Sequence, residues 1–292
     1  MLAGADKMAL RTGIIQGLDY GVGASVTATI GKVTGGTWAT DASLDWLVSI
    51  GGGVDAQWGM VGCTGTATFQ PTAVGILSSG LRATMTSPSL SDLTFEGGTT
   101  SEKFRHANAK INRMVLEAGV GSALQATVDW VARTPSQPSA AAFQTADAGA
   151  IFQWFQGVCT INSATYSMQN FSVTVENNLT PHSSLDTATT DSQRFPEELV
   201  IGSERVSGTF NIGVPPGTTA TAGLGEPWAD IPDITSSASL AFTSATPTTL
   251  TIALAGMSIK SWSMPWVGPG DIVMYTLEFD AKPDQAAAIA IS

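Results

Sequence analysis

Charge is what this chain lacks most. Of 292 residues, 13 are Lys or Arg and 24 are Asp or Glu, so charged side chains make up 13%, about half the ~25% usual in soluble proteins. The few charges sum to −11. A nucleic-acid binder held by phosphate contacts is disfavoured, because that binding needs clustered Lys and Arg. Histidine and cysteine are scarcer still, at two each. Cys63 and Cys159 form no disulfide framework and have no metal-ligand spacing; they read as small buried hydrophobes of a protein folded under reducing conditions. His106 and His182 have no acidic or cysteine neighbour at ligand spacing, so no metal and no cofactor is expected. Long apolar runs are missing too. The two 26-residue stretches without an ionic group, Ala56–Leu81 and Ile234–Ile259, are interrupted by Pro71 and Pro247 and rich in Thr, Ser and Gly, unlike a membrane span. Met1–Leu10 shows no basic start followed by an apolar core, so no secretory signal is expected.

Catalytic signatures are also wanting. No GxSxG elbow occurs. Gly21-Val22-Gly23 and Gly119-Val120-Gly121 lack the third glycine of a dinucleotide loop and read as turns. Glu197-Glu198 would point to opposite faces of a strand. The reading is that the protein is not an enzyme. Phe152, Trp154 and Phe155, and separately Trp262 and Trp266, form aromatic clusters. They suit a core or a subunit contact better than a sugar platform. Low surface charge fits faces covered by partners, and equally a hydroxyl-rich β surface with none.

What is present is alternation, written twice. KINRMVLEAGVGSALQATVDWVARTP (110–135) and SIKSWSMPWVGPGDIVMYTLEFDAKP (258–283) both run through two alternating segments around a glycine turn, the signature of a β-hairpin. At an offset of 149, Asp129 matches Glu278 and Trp130 matches Phe279. Upstream, VGCTGTATFQP (61–71) echoes RVSGTFNIGVP (205–215), with Gly65-Thr66 against Gly208-Thr209. A weaker echo pairs 25–33 with 171–179. The order is the same in both halves, which favours tandem duplication over coincidence. TPSQPSAAA (134–142) reads as the linker. Strands are expected at 24–33, 60–69, 111–118, 123–132, 157–162, 169–177, 204–212, 249–254 and 271–280. One helix is expected from Pro71 to about Arg82, on Val74, Leu77 and Leu81. The expected fold is mainly β, with two tandem sandwich or open-barrel domains over 1–140 and 141–292 and one or two short helices. Cutting at the linker leaves 10 acidic and 9 basic residues before it, and 14 and 4 after it, so the acidity belongs to the second half.

Several stretches resemble the tail tube (major tail) proteins of long-tailed bacteriophages. They are the hairpin at 110–133, FQWFQGVCTINSATYSMQNFSVTVENNL at 152–179, RFPEELVIGSERVSGTFNI at 194–212, DIVMYTLEFDAKPD at 271–284 and the helix at 71–83. The Asn177-Asn178 pair closing a strand is among the best defined of these features. The resemblance implies a structural virion protein of the phage tail, assembled in the host cytoplasm. Its domains would form rings that stack into a hollow tube for DNA delivery. It implies self-association, with tape-measure, tail terminator and tail-tip proteins as further partners. DNA would pass without specific binding, and no membrane is involved. If each chain supplies two tube domains, three chains would close a pseudo-six-fold ring; hexamers are the alternative. On polar faces of the hairpins and their neighbour, Glu117, Asp129, Glu176 and Glu278 are candidates to face the channel. Competing readings are a tail terminator, a capsid decoration protein or a glycan-binding adhesion module.

Overall fold

The computed structural model describes residues 17–48, 54–82, 89–98, 103–138, 143–144, 149–162, 164–183, 195–213, 235–244, 249–263, 274–281 and 288–292. In chain order the elements are β1 (Gly17–Val22), β2 (Ala28–Thr29), β3 (Lys32–Val48), β4 (Val54–Gln70), α1 (Gly75–Ser79), β5 (Leu93–Gly98), β6 (Lys103–Gly119) and β7 (Gln125–Ser136). A single 3-10 turn at Trp154–Gln156 then leads into β8 (Gly157–Ile161), β9 (Ala164–Glu176), β10 (Leu179–His182), β11 (Glu198–Ile201) and β12 (Arg205–Gly213). The chain finishes with β13 (Thr235–Thr243), β14 (Thr249–Ser263), β15 (Met274–Ala281) and β16 (Ile289–Ile291).

Period-two alternation becomes strand as expected. Along β7, Ala126, Val128, Trp130 and Ala132 are buried, while the residues between them reach solvent in part. Successive side chains of a strand point to opposite faces, so one face packs into a core and the other stays polar.

Pairing divides these strands into two circuits with one scheme. In the first, the order is β2-β1-β5-β6-β7-β4-β3. In the second, β8, β13, β14, β15, β12 and β9 pair in succession and β9 returns to β8, closing a six-strand barrel. The circuits match strand for strand, with β2 and β3 together taking the place of β9. The chain breaks there at Gly31, whose φ of 114° lies where only glycine is comfortable.

Registers match as well. Trp130 lies opposite Gly65, and Phe279 lies opposite Gly208. A Cβ on Gly65 would fall 2.1 Å from the Trp130 ring, and one on Gly208 would fall 2.8 Å from the Phe279 ring. Each glycine therefore makes room for the aromatic beside it. Bulges recur at Asn112 in β6 and Lys260 in β14, and at Thr34 in β3 and Gln169 in β9. The Gly-Thr echo and the second strand of the hairpin echo fall in register, while the hairpin's first strand corresponds at an offset of 148 rather than 149. The third echo does not: 25–33 covers a turn, β2 and the first two residues of β3, whereas pairing sets Trp38 against Gly65 as it sets Val173 against Gly208, so 171–176 corresponds to 36–41.

Three expectations need correction. The helix is only Gly75–Ser79. Gly75 and Gly80 bound it, and the Ser78 and Ser79 hydroxyls donate back to the Gly75 carbonyl, a bond that favours ending a helix over extending it. The linker start is strand, since Thr134–Ser136 continue β7 against Arg105–Ala107. Pro135 is tolerated because β4 stops pairing with β7 at Ala132, leaving an edge where no N–H is needed. Residues 139–142 lie outside the described residues. Strands β1, β5, β10, β11, β13 and β16, and most of β3, went unread: Leu18, Tyr20 and Val22, Leu93 and Phe95, and Leu240 and Phe242 do alternate, but each set is short and lies among Gly, Ser and Thr.

Candidate functional site: a polar sheet face and two open edges

Eight strands run side by side in the order β3-β4-β7-β6-β9-β12-β15-β14. They cross from one circuit to the other at a seam where β6 pairs with β9. There Arg113 faces Glu176, Glu117 faces Ser172 and Ala118 faces Phe171.

The face of this sheet turned away from the cores is polar. One row across it reads Thr66, Asp129, Arg113, Glu176, Arg205; another reads Gln125, Glu117, Ser172, Thr209, Glu278, Ser261. All four acidic residues singled out in the sequence thus share one face. The Thr66 hydroxyl donates to Asp129 Oδ1 at 2.8 Å, and Ser261 Oγ donates to Glu278 Oε2 at 2.9 Å. Arg113 lies between Asp129 (3.7 Å) and Glu176 (3.9 Å). Asn211 joins its neighbours by accepting from Thr276 Oγ1 (2.6 Å) and donating to Asn170 Oδ1 (2.7 Å). Asp280 belongs to the same face, beside Arg205 at 3.6 Å and paired with Lys260. Sequence reasoning missed Arg113, Arg205, Lys260 and Asp280. Period two already joins Arg113 to Glu117, Arg205 to Thr209 and Asp280 to Glu278 on one face; only Lys260, on a bulge, stands off the alternation. Exposed ion pairs of this kind contribute about 0–1 kcal/mol each, so the face owes its order to strand register.

The two ends of the eight-strand run are unequal to the seam. On β9 the core-facing Phe171, Val173 and Val175 are at most 2% exposed. Their counterparts on β3 are Gly36, Trp38 and Thr40. Gly36 and Thr40 are exposed and Trp38 is half-buried. Among the described residues β3 pairs with β4 alone. At the other end, the described part of β13 reaches only Thr235, opposite Ser258, so among the described residues Ile259–Ser263 have a partner only on the β15 side. Unpaired backbone N–H and C=O groups along such margins are templates for another strand.

Asn177 and Asn178 anchor the seam's end. Asn177 is fully buried. Its amide donates to the carbonyls of Gly80 (3.0 Å) and Ile111 (2.9 Å), tying the helix end to β6. Its backbone N–H donates to the carbonyl of the bulged Asn112 (2.7 Å), so the bulge's freed acceptor is satisfied. Asn178 adopts φ 49°, a left-handed turn that Asn tolerates better than other side chains.

The other candidates divide between core and surface. Phe152 is buried, whereas Trp154 and Phe155 are 41% and 65% exposed, with ring centroids 6.0 Å apart. Trp262 is half-buried; Trp266 lies outside the described residues. Both cysteines are buried and free. Burial raises the Cys63 thiol and pushes Cys159 up to about 12, so neither offers a thiolate at neutral pH. His106 is buried, accepts from Trp130 Nε1 at Nδ1 (3.1 Å) and stacks on Trp38 at 4.0 Å. Desolvation lowers its pKa to about 4. Among the described residues no three His, Cys, Asp or Glu side chains converge as metal ligands, and no helix is long and apolar enough to cross a membrane.

The family model described as phage tail tube protein matches residues 18–281. No curated protein matches the chain.

Proposed function

This chain belongs to the phage tail tube protein family, and we propose that it closes into rings by repeating, between chains, the seam it already makes within itself. The carrying observation is the contrast between two equivalent strands: β9, sealed by β6 and buried, and β3, open on the same side. The β14 edge matches the partnered edge of β6. Joining β14 of one chain to β3 of the next supplies both missing partners head to tail, and closure removes the edges.

Stacked rings of this kind make a virion tail tube that delivers DNA, with tape-measure, tail terminator and tail-tip proteins as further partners and assembly in the host cytoplasm. Each chain contributes two tube domains, 1–140 and 141–292; the shared pairing scheme, glycine–aromatic pairs and bulges support the duplication. Eight strands per chain favour three chains per ring. At about 4.8 Å between strands and a tilt of about 40°, 24 strands close a wall about 48 Å across between backbones. Six chains would double that to about 96 Å, far wider than a duplex needs.

The pairing makes a definite register. The seam sets Val115 against Thr174. Carried to the open edges through the matching registers, this sets Ser263 of one chain against Ala39 of the next. An Ala39→Cys, Ser263→Cys variant is expected to yield covalent oligomers, closing at three chains, when assembled protein is oxidised, because directly opposed antiparallel residues lie within disulfide reach. Non-reducing gel electrophoresis reads the result. Monomers only, from protein that has formed tubes, would exclude this junction.

The polar face then lines the channel, with Glu117, Asp129, Glu176 and Glu278 toward the DNA. Acidic groups repel phosphate over about 8 Å at physiological salt, whereas a lysine-rich wall would hold it by counterion release. Asp129→Lys combined with Glu278→Lys should permit tube assembly and slow DNA ejection. Ejection at the normal rate from virions carrying both changes would place these residues elsewhere.

A further inference from the structure

We propose that the side chains of Lys103 and Asp19 become joined by an amide bond, formed within the folded chain with Glu96 moving the protons. The proposal is independent of ring closure.

Three ionisable side chains meet under cover on the sheet β1-β5-β6, on the face opposite to the Phe95–Trp130 stack. Asp19 is 1% exposed, Lys103 2% and Glu96 6%. Strand pairing brings them together. Asp19 on β1 lies opposite Glu96 on β5, which lies opposite Arg105 on β6. In the neighbouring row, Gly17 lies opposite Gly98, and Gly98 lies opposite Lys103. Alternate residues of a strand share a face, so both rows lie on the same side. The glycines leave room for a cover. A Cβ on Gly17 would fall 2.9 Å from the Phe143 ring, and Lys103 Nζ lies 4.2 Å from the centre of that ring. Beside it the Gln144 N–H donates to Asp19 Oδ2 at 2.8 Å. Phe143 and Gln144 thus roof the cluster.

The contacts suit condensation better than a finished ion network. Lys103 Nζ stands 3.5 Å from Glu96 Oε2. Glu96 Oε1 accepts from Arg105 Nε at 2.6 Å, which fixes the carboxylate. Asp19 Oδ1 is buried and has no hydrogen-bond partner among the described residues, a costly state for a carboxylate. Burial raises the Asp19 carboxyl above its ordinary range, against the opposing pull of the Gln144 N–H and of Lys103. The shift favours the neutral acid that an amine attacks. Condensation would remove one charge of each sign and leave Arg105 paired with Glu96, relieving the desolvation that a buried ion set carries.

The step balances. Two of the three ammonium protons of Lys103 pass through Glu96 to one Asp19 oxygen. The nitrogen attacks Asp19 Cγ, and the C–O bond breaks as the C–N bond is made. One water leaves, the nitrogen keeps one proton, and Glu96 ends as it began. Ammonium plus carboxylate becomes amide plus water, with nothing oxidised or reduced. Holding the two groups together corresponds to an effective concentration of about 10⁵ M or more, and a covered site disfavours the reverse hydrolysis. The reaction occurs once per chain, so it is a maturation step and not an enzymatic activity. The bond ties β1 to β6 across β5, and Asp19 titrates only in chains where it has not formed.

Intact-mass spectrometry of the purified full chain is the test. The wild type should lie about 18 Da below its sequence mass, the loss of one water. A tryptic digest should join Thr12–Lys32 to Ala83–Arg105, because an acylated Lys103 is not cleaved. Lys103→Arg should keep its full sequence mass. Asp19→Asn should lose ammonia in place of water and reach the same final mass as the wild type, since both yield the same amide. Glu96→Gln should form the bond about 100-fold more slowly, as loss of a general acid–base group does. A folded wild type at its full sequence mass overturns the proposal. So does a loss of water that maps to other residues or survives Lys103→Arg. Bond formation at the wild-type rate in Glu96→Gln would remove Glu96 from the proton path. Should that variant fail to melt cooperatively, Lys103→Arg and Asp19→Asn still decide whether the bond exists.

Discussion

Trp130→Ala is expected to lower the unfolding free energy by about 4 kcal/mol, the middle of the range for removing a buried aromatic. The indole is 1% exposed. It stacks on Phe95 with centroids 4.3 Å apart and meets Trp38 edge-on at 5.6 Å. Because it covers Gly65, nothing on β4 can move in to occupy the space; the glycine has no side chain, and the paired backbone is fixed by its ladder. The substitution also leaves His106 Nδ1 without its donor, a buried acceptor whose orphaning costs about 1–3 kcal/mol. Trp130→Phe should separate the two effects, keeping most of the packing and losing the hydrogen bond. Phe279→Ala makes the parallel case in the second circuit. Phe279 stacks on Phe210 at 4.8 Å over Gly208 and carries no polar partner, so its cost should be the smaller of the two. Denaturant titration of the monomer checks all three; a Trp130→Ala loss under about 1 kcal/mol would contradict the packing described.

Acid should loosen the first circuit through His106. Its pKa falls from about 6.5 when unfolded to about 4 in the folded protein, because burial disfavours the charged ring. Above pH 6.5 the ring is neutral in both states and the group has no influence. Between 6.5 and 4 only the unfolded chain binds the proton, so stability drops as pH falls, by about 1.4 kcal/mol per unit and about 3 kcal/mol in all. Asp19 and Glu204 work in the opposite direction. Burial raises both, so the folded state binds their protons first and gains stability as pH falls through the raised values. The His106 contribution is therefore read as a difference. Melting curves of the wild type and His106→Gln should converge at neutral pH in their slope with pH, and the wild type should be the steeper between 6 and 4. Equal slopes over that window would mean that His106 is protonated in the folded protein.

The residues that carried the most information were those that alternate. β6, β7, β12 and β15 were legible because Ile, Leu, Val and aromatic side chains mark one face of each. β1, β5 and β13 carry only two or three such marks each, among Gly, Ser and Thr, and they and most of β3 were not. On β3, Gly36 and Thr40 stand where β9 has Phe171 and Val175, so its core-facing side shows no hydrophobic row to read. The four acidic positions were found by alternation; Arg113, Arg205 and Asp280 stand on the same alternation and were passed over because acidic groups alone were sought, while Lys260 sits on a bulge that changes the step. The helix was overread from Val74, Leu77 and Leu81, since two glycines and two serines outweigh three apolar residues over so short a span.

Taken alone, the amino-acid order determined the β class, the doubled hairpin, the Gly65-Thr66 and Gly208-Thr209 correspondence and the scarcity of charge, all consequences of local period and composition. Which strands meet across long separations was settled only by the tertiary structure: the closed barrel, the β6–β9 seam and the shared face of Glu117, Asp129, Glu176 and Glu278. Pairing between strands 50 or more residues apart leaves no local pattern, because it is chosen by where every other strand has already found its place.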